Sequence, residues 1–218
     1  MSTTRYEPAK PLRLAVLISG GGRTMVNLAR RIMDGRLNAR IEVVLSSRAD
    51  AKGLEHADDL GIDTAVVSRR LNADVETFSR QIFEHVERSE ADLVCLAGFM
   101  NLLRIEKAFK HKVINIHPAL LPGFGGKGMY GHHVHEAVLA AGCRVSGCTV
   151  HFADASYDTG PIIVQRSCPV RPNDTPDRLA ARVFREECIA YPQAVSLIAA
   201  GRVKVENGVA RILPAPGA

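Results

Sequence analysis

The sequence predicts an α/β fold: a Rossmann-like, mostly parallel sheet flanked by helices, with a C-terminal antiparallel extension and a hairpin. In the first half of the chain, short apolar runs alternate with segments of helical periodicity, as in a parallel sheet with helical crossovers. From residue 146 the side-chain period changes to two, which is typical of antiparallel strands. Near the end, Asn207-Gly208 separates two short alternating segments and indicates a hairpin.

The length favours one domain. We expect residues 12–213 to form it, with a phosphate-binding βα half (12–112), a second half (113–213) and tails at 1–11 and 214–218. Of the 218 residues 46% are hydrophobic, enough for a core, and no apolar run approaches the roughly 20 residues of a membrane span.

The charges and cysteines narrow the function classes. The net charge is +5, but the basic residues are dispersed and aromatics make up only 5%, which disfavours nucleic-acid binding and fits a small anionic substrate. The five cysteines are odd in number and contain no C-x-x-C, so we expect free thiols, no metal site and a cytoplasmic location.

The first βα unit begins with the buried run 14–18, continues through a glycine turn at residues 19–24, and is followed by helical spacing up to Gly35. Backbone amides of such a turn bind anions. No third glycine follows at the dinucleotide spacing, and no Gly-Lys-Ser/Thr follows either, so a phosphate monoester fits best. A tight turn needed only for packing is the alternative. The candidate contacts are Gly21, Gly22, Arg23 and Thr24.

Further βα units lead to the strand 113–117. They are a short helix near 50–60, a strand at 64–67, an amphipathic helix from Val75 to Val86, a buried strand at 92–98 with the apolar loop 99–103, and a short helix near 105–110. Because ligands gather at the carboxyl ends of parallel strands, the glycine turn, the 99–103 loop and the end of strand 113–117 should meet.

Asn115 and His117 should point to one side of that strand, since side chains alternate and Pro118 keeps His117 extended. An amide and an imidazole together can polarise a carbonyl and move a proton. The alternative is the polar face of an ordinary half-buried strand. The glycine-rich segment 123–131 that follows is interpreted as a mobile flap. His132, His133 and His135 do not share one helix face, which disfavours a metal site.

Two acidic residues in the second half are candidates. Asp158 either forms a turn or faces His117, where it would hold the imidazolium and raise its pKa above about 6.5. Glu187 lies on the apolar stripe of the last long helix, which begins at Thr175-Pro176, so it should pair with a basic residue or bind a substrate amine or hydroxyl. Pro192 should kink or end that helix.

These residues resemble the glycinamide ribonucleotide formyltransferases, the folate-dependent transformylases of purine synthesis. The resemblance covers nearly the whole chain and is most specific at residues 115–122, 149–152, 157–161 and 96–100. It implies that the amine of glycinamide ribonucleotide attacks the formyl carbon of 10-formyltetrahydrofolate, a co-substrate, with no metal.

The resemblance also implies residue roles. Asn115 would bind the oxyanion, His117 would act as general acid, and Asp158 would keep His117 charged and order a water. The glycine turn would bind phosphate and Glu187 the ribotide. The folate pocket would be formed by the 153–158 loop and by Met100, Asn101, Leu102, Leu103, Thr149 and His151.

The sequence departs from the family at Arg23, Asn101 and Phe184 and has a longer, glycine-rich flap, which leaves another acceptor amine open. Formyltetrahydrofolate hydrolase is the nearest rival, but it normally carries an extra N-terminal domain. Methionyl-tRNA formyltransferase normally adds a C-terminal barrel. A nucleotide-binding module would have no use for Asn115, His117 and Asp158 together. The oligomeric state stays open between a monomer and a homodimer.

Overall fold

A computed structural model of the chain describes residues 10–72 and 74–215. Seven strands form one sheet in the order β3-β2-β1-β4-β5-β6-β7, and β8 pairs with β9 in a separate hairpin. The strands are β1 (Leu12–Ile18), β2 (Ala39–Ser46), β3 (Thr64–Val66), β4 (Leu93–Leu96), β5 (Val113–His117), β6 (Val145–Phe152), β7 (Ile162–Pro169), β8 (Val203–Glu206) and β9 (Val209–Ile212). The helices are α1 (Arg23–Met33), α2 (Lys52–Asp59), α3 (Val75–Arg88), α4 (His132–Ala140) and α5 (Pro176–Ala199).

The sheet confirms the predicted fold class. All pairs from β3 to β5 are parallel, whereas β5–β6 and β6–β7 are antiparallel. The change in side-chain period therefore coincides with the change from parallel to antiparallel strand pairing at β6. Because the sheet is continuous, the two predicted halves share one layered structure.

Both faces of β1 are buried, as its continuous apolar run predicts. Leu14, Val16 and Ile18 pack into a core beneath α1 and α5, while Ala15 and Leu17 pack into a second core beneath α3. Burial on both faces fixes β1 in the middle of the sheet.

The C-terminal hairpin turns at Asn207 (φ 50°) and Gly208 (φ 78°), the positive φ angles of a type I′ turn. The predicted short helix near residues 105–110 is a single 3₁₀ turn, Lys107–Phe109. Most of the predicted tails lie outside the described residues. None of the helices in the described ranges is both long and apolar enough to cross a membrane.

Of the two outcomes expected at Pro192, helix α5 does not end there but continues to Ala199. A proline has no N–H, so the carbonyl four residues earlier, that of Cys188, loses its helical donor. The side-chain amide of Asn27 on α1 donates to this carbonyl at 3.1 Å. A contact from a neighbouring helix thus replaces the missing helical hydrogen bond.

Candidate active site

The carboxyl ends of β1, β4 and β5 open into a cavity of about 750 Å³, which we call the large cavity. Its walls come from the glycine turn, the 99–103 loop, the flap and α5. The predicted site residues that line it are Arg23, Thr24, Met100, Asn115, His117, Asp158 and Glu187. The expected convergence at the carboxyl ends is therefore observed.

Four polar side chains form what we call the central cluster: Asn115, His117, His151 and Asp158. Oδ1 of Asp158 lies 3.5 Å from Nδ1 of His117 and 3.6 Å from Nε2 of His151. Asn115 Nδ2 donates to the same oxygen at 3.4 Å and lies 3.2 Å from His151 Nε2. Asp158 faces His117, so it is more than a turn former.

Backbone register and a strained turn build this cluster. Asn115 on β5 pairs directly with His151 on β6, which places both side chains on one face. Asp158 has a φ of 59°, an uncommon value for a non-glycine residue. The N–H of Gly126 in the flap donates to Asp158 Oδ2 at 2.9 Å and fixes the carboxylate from the other side.

The direction of the His117 pKa shift contradicts the expectation from the sequence. Burial lowers this pKa below its usual value, although the Asp158 carboxylate and the Phe124 carbonyl both act to raise it. Desolvation prevails because the His117 residue is only 3% exposed. Burial acts to raise the pKa of Asp158, but His151, His117 and the Gly126 amide outweigh it, so that pKa is lowered. These directions favour an ionised Asp158 and a neutral His117 near neutral pH.

The glycine turn owes its shape to a close approach of two backbones. Gly22 precedes α1 with a φ of 67°, and a Cβ there would lie 2.6 Å from the Cα of Gly53. At Gly21 a Cβ would meet no described atom within 4 Å. The first turn of α1 contains no acidic residue, and Gly22 supplies no side-chain cap. The α1 amides therefore face a position open to an anion.

Arg23 and Glu187 bring opposite charges to the large cavity. The Arg23 guanidinium lies over the Phe184 ring, 3.8 Å from its centroid, which is a cation–π contact. Burial raises the pKa of Glu187 to about 7, and Arg23 opposes this shift. Near neutral pH, Glu187 is thus present in both protonation states.

A second, small cavity of about 50 Å³ adjoins the first on the other side of the central cluster. Asn101, Leu102, Leu103 and His151 line it, together with residues of the 153–158 loop. Asn115 and Asp158 line both cavities. The central cluster therefore lies where two ligands could meet.

Thr149, expected among the folate contacts, does not line either cavity. It is fully buried, and its hydroxyl donates to the Ala119 carbonyl at 2.7 Å and accepts from the Leu121 N–H at 3.0 Å. Its side chain instead holds the segment that follows His117. His151, also expected to contact folate, is a member of the central cluster and 2% exposed.

The three adjacent histidines diverge. His132 lies 3.3 Å from Asp177, His133 lies 3.4 Å from Glu136, and His135 is buried beside the large cavity. Burial lowers the pKa of His135 to about 4, with His132 and His117 adding to the shift. Within the ranges that the structure describes, no group of three or more histidine, cysteine or acidic residues could hold a metal ion.

Two backbone contacts to the cluster were not predicted from the sequence. The Phe124 carbonyl accepts from His117 Nε2 at 2.8 Å, and the Gly126 amide donates to Asp158. Gly125, which lies between them, is the sequence feature that could have indicated this close approach. A Cβ there would lie 2.5 Å from Leu121 and 3.2 Å from Asp158. The flap thus contacts the central cluster, and its mobility stays a prediction.

Comparisons with known proteins identify the family of this chain. Residues 12–195 match the family described as formyl transferase. The phosphoribosylglycinamide formyltransferase of Arabidopsis thaliana (chloroplastic) is 39% identical over 94% of this chain and 71% of its own length. The trifunctional purine biosynthetic protein adenosine-3 of Bos taurus is 40% identical over 91% of this chain, but the match covers only 20% of the bovine protein.

Solved structures agree as well. Glycinamide ribonucleotide transformylase 1 of Symbiobacterium toebii has a TM-score of 0.90 and 38% identity, and the match covers 97% of this chain and 99% of that one. A formyltetrahydrofolate deformylase from Pseudomonas syringae has a TM-score of 0.84 over 94% of this chain and 67% of its own, but at 22% identity it shows the fold alone. The family that the sequence predicted is confirmed: this chain belongs to the formyl transferase family.

Proposed function

We propose that the protein transfers the formyl group of 10-formyltetrahydrofolate to the amine of glycinamide ribonucleotide in de novo purine biosynthesis. The observation that carries this proposal is the position of the central cluster at the boundary of two cavities. The large cavity contains the glycine turn suited to a phosphate, and the small one borders the proposed folate loop. Family membership and the named activities of the relatives support the same reaction.

In the proposed reaction, the amine nitrogen attacks the formyl carbon and the carbonyl electrons move to oxygen, where Asn115 stabilises the oxyanion. Neutral His117 accepts the proton that the attacking nitrogen loses. It then gives this proton to the folate nitrogen as the bond from that nitrogen to carbon breaks and the carbonyl re-forms. Asp158, 3.5 Å from His117, stabilises the imidazolium that exists between these two transfers.

The ribotide would bind along the glycine turn and α5. Amides of Gly21 and Gly22, the Thr24 side chain and the Arg23 guanidinium would hold the phosphate, because cations and helix amides together favour a dianion. Ionised Glu187 would accept hydrogen bonds from the ribotide. The Phe184 ring contacts the face of the Arg23 guanidinium, so the N–H groups at its edge would donate to the phosphate.

The folate would bind from the other side of the central cluster, against Met100, Asn101, Leu102 and Leu103. A cavity of about 50 Å³ is much smaller than a pterin ring. The 99–103 and 153–158 loops therefore have to separate when the co-substrate binds. His151 would act on the folate side through Asp158, and no metal is needed in this scheme.

The test is the absorbance change on deformylation of a 10-formylfolate analogue, measured with and without glycinamide ribonucleotide. We expect turnover only with the ribotide. Equal turnover without it would identify a hydrolase, and turnover with a different amine alone would identify another acceptor; either result would overturn the proposal.

The proposal also includes the class of substrate, the roles of the two halves of the chain and the cellular location. The substrates would be small molecules, and nucleic acid is not expected as a partner. The half 12–112 would supply the phosphate-binding turn and the 99–103 side of the folate pocket, and the half 113–213 would supply the central cluster, the 153–158 side of that pocket and Glu187. All five cysteines are free thiols. A cytoplasmic location stays a prediction, since the Arabidopsis relative is chloroplastic.

A further inference from the structure

Two contacts, one helical turn apart, join α1 to α5 beside the large cavity. In the first, the Arg23 guanidinium covers the Phe184 ring at 3.8 Å. In the second, Asn27 Nδ2 donates to the Cys188 carbonyl at 3.1 Å. Both partners advance by four residues, from 23 to 27 and from 184 to 188, so the contacts lie on one face of each helix. We call this pair of contacts the clamp.

The second contact of the clamp depends on Pro192. In an unbroken helix the N–H of residue 192 would donate to the Cys188 carbonyl, but proline has none. Asn27 supplies the missing hydrogen bond from another helix, and the contact is partly buried. The proline therefore converts a bond within α5 into a bond between α5 and α1.

The clamp lies between two ligand-binding features. The glycine turn directly precedes α1, with Gly22 at its boundary, and Glu187 directly precedes Cys188 on α5. Arg23 and Glu187 both line the large cavity. A shift of α1 along α5 would change the distance from the glycine turn to the Glu187 carboxylate without altering either feature by itself.

We propose that Asn27 and Phe184 are positioning residues that fix this distance, so that the site selects a sugar phosphate whose phosphate and hydroxyls reach both ends at once. The inference deepens the proposed function and rests on it for the identity of the ribotide. Asn27 acts through the Cys188 carbonyl and Phe184 acts through the Arg23 guanidinium.

The clamp makes a prediction that a purely structural role does not make. Inorganic phosphate needs only the glycine turn, whereas ribose 5-phosphate extends from the turn towards Glu187. Loosening the clamp should weaken the binding of ribose 5-phosphate, which spans this distance, and leave the binding of inorganic phosphate nearly unaffected. Loss of one hydrogen bond to a carbonyl corresponds to roughly a three- to tenfold change in affinity.

The experiment measures the Kd of ribose 5-phosphate and of inorganic phosphate by calorimetry. The proteins are the wild type, Asn27→Ala, Pro192→Ala, the double variant, and Arg30→Ala as an exposed control on α1. For Asn27→Ala we expect ribose 5-phosphate to bind roughly three- to tenfold more weakly and phosphate to change by less than about twofold. With Pro192→Ala, the new N–H donates to Cys188, so adding Asn27→Ala should cost less than about twofold.

Three results would overturn the clamp. They are equal weakening of both ligands, the same effect of Asn27→Ala in both backgrounds, and a wild type that binds ribose 5-phosphate no more tightly than phosphate. Should Pro192→Ala fail to fold, Asn27→Ala against Arg30→Ala still decides the second contact through the two ligands. Phe184→Tyr and Phe184→Leu then test the first contact: the tyrosine ring should preserve ribose 5-phosphate binding and leucine should not. Because this experiment needs no folate and no amine, a negative formyl-transfer assay would refute the proposed function while leaving the clamp to be decided by these affinities.

Discussion

The central cluster and the glycine turn differ in how the chain builds them. The cluster consists of side chains, and Asp158 is contacted by Asn115, His117, His151 and the Gly126 amide at the same time. The glycine turn consists of backbone, and its shape depends on side chains being absent at Gly22 and Gly53. In the proposed reaction, the central cluster acts through groups that titrate, whereas the glycine turn offers fixed backbone dipoles that do not. Substitutions in the two regions should therefore change different quantities.

The largest effect should come from the cluster, at His117. In His117→Ala we expect kcat to fall about 10²–10⁴-fold, because the proton relay is lost, while the KM for the ribotide changes little. Steady-state kinetics in both substrates give the two parameters separately. His56→Ala, an exposed histidine on α2, is the control. A rise in KM with kcat preserved would place His117 with the binding residues instead.

Asp158→Asn should reveal the coupling within the cluster. We expect kcat to fall roughly ten- to a hundredfold, since the imidazolium loses its carboxylate partner. The carboxylate raises the pKa of His117 against burial, so its removal lowers that pKa further. Neutral His117 is the proton acceptor, and activity is lost as pH falls through its pKa. The acid limb of kcat/KM should thus move to lower pH, and an unmoved limb would argue against the pairing.

Two alanine substitutions should separate packing from binding in the glycine turn. Gly22→Ala forces a Cβ to within 2.6 Å of Gly53 at a φ of 67°, so we expect about 1–3 kcal/mol of lost unfolding free energy. Gly21→Ala has room for its methyl group and should stay within about 0.5 kcal/mol of the wild type. Denaturant unfolding measures both. Equal losses would mean that the close approach to Gly53 does not shape the turn.

Glu187→Gln should give the smallest effect, roughly a tenfold rise in the KM for the ribotide above pH 7. The pKa of Glu187 is raised to about 7 by burial, so its carboxylate forms as pH rises through that value. In the wild type, KM should therefore fall between pH 6 and 8. In the glutamine variant only the titration of the ribotide phosphate should remain, and an identical pH profile would exclude Glu187 from the contact.

The sequence predicts much of this molecule where local rules act alone. The buried runs, the glycine turn, the Asn207-Gly208 hairpin and the side shared by Asn115 and His117 all follow from periodicity and turn chemistry. Contacts between segments that are distant in the sequence do not follow from these local rules. Three such contacts depend on how three loops and three helices pack: the Gly53 backbone behind Gly22, the Gly126 amide on Asp158 and the Asn27 amide on Cys188.

Two expectations failed for a related reason. Asp158 does face His117, but the sign of the net pKa shift depends on how deeply His117 is buried, which no local pattern gives. The family resemblance implies that Thr149 is a folate contact. In the structure the Thr149 hydroxyl is buried beneath the segment that follows His117. It forms hydrogen bonds there with the Ala119 carbonyl and the Leu121 N–H.

The proposed function requires direct transfer of the formyl group between two ligands that meet at the central cluster. The most direct measurement uses 10-formyltetrahydrofolate labelled at the formyl carbon and follows the label by mass spectrometry. We expect one labelled formyl group on the glycinamide ribonucleotide amine for each folate deformylated, with none as free formate. Label recovered as formate, in the presence of saturating ribotide, would contradict direct formyl transfer.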